Sequence, residues 1–154
     1  MEINGIPAHP LVIHAAVVLV PLAALSVIAF VVPRWRAATR WPALVLTVVA
    51  TVAVQLATLT GEDLEETRGP DSALIHEHAE WGERLQVLMY VLAVLVVVAF
   101  LVMPVLHRAT GRDRPARVAV LEKPLMVLLP LLAVAALVVV VITGDLGARS
   151  VWGG

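Results

Sequence analysis

Hydrophobic positions in this chain come in long runs rather than at helical or strand spacing. Four runs stand out: Leu11 to Val32, Pro42 to Thr60, Leu85 to Leu106 and Pro124 to Thr143. Each is roughly 19 to 22 residues, or about 30 Å as a helix, which matches the hydrocarbon thickness of a bilayer. Their Val, Leu and Ala content would be ambiguous in water. In lipid the backbone must satisfy its own hydrogen bonds, so each run reads as a helix. Prolines punctuate the pattern. Pro10, Pro42 and Pro124 suit first helical turns, Pro33 follows the first run, and Pro21, Pro104 and Pro130 predict kinks.

The polar positions are segregated by side. Arg34, Arg36 and Arg40 lie between the first two spans, in a short loop over 33–41. Arg108, Arg112, Arg114, Arg117 and Lys123 lie between the last two, in a loop over 107–123, opposed only by Asp113 and Glu122. The other side carries Glu2, Glu62, Asp63, Glu65, Glu66, Asp71, Glu77, Glu80, Glu83 and Asp145. The positive-inside rule then puts both termini and the acidic loop 61–84 outside. Within that loop, Ala73 to Arg84 reads as a short interfacial helix or as the overhanging start of the third span. Trp35, Trp41, Trp81 and Trp152 fall near span ends, as interfacial anchors do.

Composition narrows the class further. The 154 residues are 60% hydrophobic and 15% charged, which describes one integral membrane domain. There is no cysteine, so thiolate metal sites and c-type haem attachment are excluded. Met1 to Pro10 has no basic stretch, so the first span reads as a retained helix rather than a cleaved signal. No phosphate-binding loop, nucleophile elbow, His-Glu-x-x-His or nucleic-acid motif is present.

The two halves resemble each other. A histidine opens each (His14, His78), a proline ends the first and third spans, and Pro42 and Pro124 open the second and fourth. Thr60-Gly61-Glu62 closes one half and Thr143-Gly144-Asp145 the other. Two hairpins of equal orientation imply a pseudo-twofold axis along the membrane normal. Spans one and three would then lie diagonally in a four-helix bundle.

Ionisable groups at the mouths of such spans are functional candidates by default. His14 is about one turn inside span one. In His76-Glu77-His78 alternate residues point about 200° apart, so one of the two histidines is solvated. His78 is favoured as the inward one, because Gly82 lies one turn later on its face. Gly82 either clears room for a flat macrocycle or permits close helix packing. Span two carries a polar stripe, Thr47, Thr51, Gln55, Thr58 and Glu62, best read as bonding across helices. Glu62 and Asp145 end spans two and four on the histidine side and are candidate acceptors for a ligating imidazole. His9, His14, His76, His78 and Glu62 could in principle supply a metal site, but their spacing matches no zinc motif. His107, on the basic side, reads as a solvated loop residue.

Gly5-Ile6-Pro7-Ala8-His9-Pro10-Leu11-Val12-Ile13-His14 resembles the opening of a bacterial membrane family catalogued as domain of unknown function 2231. His78-x-x-x-Gly82 and the closing Gly144-x-Leu-Gly147-Ala148-x-x-Val-Trp152 are similar to it as well, so the resemblance spans essentially the whole chain. It implies four membrane helices. Some members are fused to a Rieske iron–sulfur domain, which implies electron transfer on the outer face. Relatives often carry His where Asp145 stands, which argues against position 145 as an obligatory ligand.

The expectation is therefore an all-α membrane bundle of two pseudo-repeated hairpins in a bacterial cytoplasmic membrane. It would hold one haem b near the outer face, with His14 and His78 as axial ligands to the iron, His9 and Glu62 beside them, and Gly82 giving clearance. Such a protein is an electron carrier more than a stand-alone enzyme. Its partners beyond the lipid bilayer would be quinol or an extracytoplasmic redox protein, and no nucleic acid is expected. Two alternatives stand beside this reading. One is a non-redox accessory subunit of a larger membrane complex or homo-oligomer. The other is a protein binding a metal through its outer histidines.

Overall fold

The computed structural model describes residues 2–3, 6–68, 73–103 and 116–152. A two-residue antiparallel ladder opens the chain, β1 (Glu2–Ile3) against β2 (Ile6–Pro7), with Ile3 opposite Ile6. The sequence between them is Asn-Gly, the strongest short hairpin signal, and its pairing was not foreseen. Four helices follow: α1 (Ala8–Val31), α2 (Arg36–Arg68), α3 (Ala73–Val102) and α4 (Ala116–Trp152). All four are long and apolar enough to cross a membrane.

The helices outrun the hydrophobic spans. α4 has 37 residues, and at 1.5 Å per residue it extends for about 55 Å. Most of the expected outer loop 61–84 is helix, as the continuation of α2 and the overhanging start of α3. Hydropathy marks the hydrocarbon core, whereas the hydrogen-bond ladder continues into the headgroup layer. Pro42 consequently lies inside α2 and Pro124 inside α4, not in first turns. Pro33 stands where expected, in the turn between α1 and α2. Pro104 and His107 lie outside the described residues.

Packing runs around a ring, α1 on α2, α2 on α3, α3 on α4 and α4 on α1. α1 and α3 are thus diagonal, as the hairpin order requires. The core is built from Val20, Val27, Phe30, Met89, Leu92, Val96 and Leu129, with Ala23, Ala24, Ala43, Ala50, Ala133 and Ala136 between them. The alanines let the backbones approach, which drives helix association where lipid removes the hydrophobic effect between helices. The outer faces are equally apolar: Leu25, Val94, Leu101 and Val141 point away from the bundle. That is why the runs carry no period in the sequence.

The polar stripe of α2 turns inward at Thr47 and Thr51, whereas Gln55 and Thr58 are half-buried and Glu62 is exposed. Thr47 and Thr51 are buried, and the Thr51 hydroxyl donates to the Thr47 carbonyl at 2.7 Å and lies 3.4 Å from the Met89 carbonyl on α3. Gln55 accepts from Gln86 of α3 at 2.7 Å and from the Tyr90 hydroxyl.

At the arginine-rich end, α2 begins with two clamps. Arg36 is only 6% exposed and meets Glu122 of α4 at 2.8 Å. One turn on, Arg40 donates to the Phe100 carbonyl near the end of α3 at 2.7 Å and lies over the Phe100 ring. Trp41 packs on that ring from the side.

Candidate functional site

The opposite end of the bundle holds a pair of histidines, and they are His9 and His78. His9 is the second residue of α1 and reaches across to α2. Its Nδ1 lies 3.1 Å from the Ala57 carbonyl and 3.1 Å from Thr60 Oγ1. His78, in the second turn of α3, reaches across to α4. Its Nδ1 lies 2.9 Å from the Thr143 carbonyl. The two rings then meet across the diagonal of the bundle, centroids 6.4 Å apart and nearly perpendicular.

Each ring lies against a glycine four residues beyond its carbonyl partner. A Cβ at Gly61 would stand 3.0 Å from His9 Cε1, and one at Gly147 would stand 2.9 Å from His78 Cε1. The structural repeat therefore matches His9 to His78, Ala57 to Thr143 and Gly61 to Gly147. The sequence comparison had matched His14 to His78 and Gly61 to Gly144. It was out by one turn on α4 and by five residues on α1.

His14 takes no place in this pair. It is exposed on α1, and five residues from His9 is a rotation of about 140° on a helix, so both cannot face the axis. His76 is likewise exposed and pairs with Glu80 on its own helix at 3.4 Å, which leaves His78 as the inward histidine. Glu62 is exposed one residue past Gly61, and backbone carbonyls, not carboxylates, hold the imidazoles. Asp145 is exposed and bonded to Arg149 at 2.8 Å. The close-packing glycines are Gly61 and Gly147. A Cβ on Gly82 or on Gly144 would meet nothing within 4 Å, so α3 and α4 keep clear space there.

A carbonyl oxygen only accepts, so the Nδ1 of each histidine must carry the proton. The Thr60 hydroxyl donates to the Leu56 carbonyl at 2.8 Å, which leaves its oxygen to accept from His9 as well. With Nδ1 protonated, Nε2 of a neutral imidazole carries the lone pair. This is how ligating histidines are oriented, with the second nitrogen tied to a carbonyl. Burial holds His9 below the ordinary imidazole range; the Ala57 hydrogen bond pulls the other way, and the neighbouring His78 adds to the depression. His9 is therefore neutral at pH 7.

Among the described residues two imidazoles make up the pair. Among the described residues no three His, Cys, Asp or Glu side chains group to hold a metal ion. Two donors are too few for a protein zinc site, which takes three or four. They are the number needed by a metal that brings its own equatorial ligands.

Fold and site together define a multi-pass membrane protein, a four-helix bundle with a histidine pair on its pseudo-twofold axis. Residues 5–154 match the family described as "Predicted membrane protein (DUF2231)", and the chain belongs to that family. No curated protein and no solved structure matches the chain.

Proposed function

We propose that this protein binds haem b between His9 and His78 and carries electrons, as a small b-type cytochrome of the bacterial cytoplasmic membrane. The observation that supports this reading is the pair itself. Two imidazoles on diagonal helices have Nδ1 tied to a carbonyl, which leaves Nε2 as the nitrogen that can ligate, with ring centres 6.4 Å apart. The donor set fits haem, whose porphyrin supplies the other four nitrogens, and His9 replaces His14 as the partner of His78. Bis-imidazole haem has no open coordination position, so the chemistry it supplies is one-electron transfer.

The chain's own residues do the positioning. The Ala57 and Thr143 carbonyls fix the tautomer and aim each ring. Gly61 and Gly147 let the rings sit flush against α2 and α4. The clear space beside Gly82 and Gly144 is compatible with a bulky planar group. The excess of arginine at the other end of the bundle supports a histidine end outside the cytoplasm.

The test is an absorption spectrum of detergent-purified protein, oxidised and dithionite-reduced, with a pyridine haemochrome assay. About one haem b per chain is expected, lost in His9→Ala and in His78→Ala and kept in His14→Ala. Colourless protein after expression with ample haem would sink the reading. Stability that then depended on co-purifying subunits would favour an accessory role, and bound copper or zinc would favour a bare-metal site.

A further inference from the structure

Side chains that face lipid are aliphatic almost everywhere on this bundle, because polar groups in hydrocarbon find no water to bond. The seam between α2 and α3 departs from that rule. Gln86 Nε2 and the Tyr90 hydroxyl both donate to one oxygen, Oε1 of Gln55. Two donors on one acceptor leave the Gln55 amide nitrogen and the Gln86 carbonyl oxygen without partners among the described residues, and neither atom is buried. Tyr90 beside them is 46% exposed. The seam thus presents a donor, an acceptor and an aromatic ring toward the bilayer, within the apolar part of both helices.

We propose that this seam binds the ring of a membrane-dissolved quinone and of its quinol. A quinone carbonyl accepts from the Gln55 amide. A quinol hydroxyl donates to the Gln86 carbonyl. The flat ring lies against Tyr90, and its tail runs along the exposed Val87, Val91 and Val94. Other lipid components match less well. A phospholipid ester only accepts, so it leaves Gln86 unsatisfied. A second copy of this chain would have to approach through small residues, and the cluster is ringed by exposed Val52, Leu56, Leu59, Val87 and Val91. The position is also apt. Gln55 is two residues from Ala57, whose carbonyl holds His9, and Gln86 is about 12 Å along α3 from His78. The inference supplies a partner for the redox role proposed above and does not rest on it.

The experiment uses full-length protein in phosphatidylcholine vesicles and a 1,4-benzoquinone with a ten-carbon tail that carries a photoreactive azide. Saturable labelling is expected on peptides from α2 and α3 around Gln55 and Tyr90, displaced by excess non-reactive quinone. Gln55→Leu and Gln86→Leu should each weaken it by about tenfold, the loss expected when a hydrogen bond out of water goes unmade. Tyr90→Phe should weaken it less. Thermal melts of each variant separate loss of binding from loss of fold, and Gln86→Met provides a second substitution of matched length. Labelling should be unchanged in His9→Ala protein, so the haem reading can fail while this one stands. Labelling that does not saturate, maps to α1 or α4, or survives both glutamine substitutions overturns the proposal. So does a dimer of the wild type that the same substitutions split, with no quinone labelled.

Discussion

The two ends of the bundle solve the same problem with different chemistry. At the arginine end the helices are tied by full charges: Arg36 to Glu122, and Arg40 to the carbonyl and ring of Phe100. At the histidine end they are tied by imidazoles, each spanning from one helix of a hairpin to the other. The charged ties are one of a kind, whereas the imidazole ties repeat with the pseudo-symmetry. A guanidinium is a donor only and has no lone pair to offer. An imidazole makes its contact with one nitrogen and keeps the other for a ligand. The arginine end is therefore built for holding and the histidine end for holding and binding.

Removing a charge should have the largest effect. Glu122→Gln takes the carboxylate from the buried Arg36 and should cost about 3 kcal/mol, the low end of the range for a broken buried pair because Glu122 retains some solvent contact. Reversible unfolding in mixed detergent measures it. A cost below about 1 kcal/mol would mean that the Arg36 end is as wet as a surface pair.

Filling a glycine should come next, and it sharpens the comparison at the histidine end. In Gly147→Ala the new methyl would meet His78 at 2.9 Å, and the ring can yield only by loosening its bond to Thr143. We expect a loss of about 1–3 kcal/mol, as for other overpacked sites. Gly82→Ala meets nothing and should be neutral or slightly stabilising. Equal effects at the two positions, measured by thermal melts, would contradict the ring-on-glycine contact.

The pH response should be smaller and confined to the same end. The folded state holds His9 below the ordinary imidazole value, through burial above all, with His78 of α3 as its titratable neighbour. Below about pH 6.5 the unfolded chain then binds more protons than the folded one. The His9 contribution is complete above that pH and is lost as pH falls toward the folded-state value. Melting temperatures of haem-free protein from pH 8 to pH 5 should decline on the acid side, and His9→Gln should flatten the decline. A profile that His9→Gln leaves unchanged would assign the effect elsewhere.

The smallest effect should be at the exposed pair Asp145–Arg149. Arg149→Ala should change stability by no more than about 0.5 kcal/mol, since an exposed i,i+4 bridge contributes little. A larger change would mean that Asp145 takes part in the site.

Much of this was legible in the residues. The four spans, the hairpin order, the inward turn of Thr47 and Thr51 and the choice of His78 over His76 all follow from run length, loop charge and helical phase. The phase of α1 was not legible. His9 and His14 both stand near the start of an all-apolar helix, and without a polar face to set rotation the deeper residue looked like the ligand. The match of Gly61 to Gly147 was not legible either, because it rests on the Ala57 and Thr143 carbonyls that the folded chain brings to the two rings. Gln86 sits one residue into a span, where a polar residue is itself a signal of function. Glu122 was read only as a charge opposing a basic loop, because its pairing with Arg36 joins positions 86 residues apart.

The sequence by itself determined that this chain lives in a bilayer, how many times it crosses and which ends of its helices lie together. Those follow from the cost of exposing backbone and charge to hydrocarbon, a property of each segment alone. The tertiary structure decided which histidine meets which, which glycines receive them and where lipid-facing polar atoms are left open. Those depend on the rotation of each helix about its own axis. In a helix apolar on every side, rotation is set by how its neighbours fit against it.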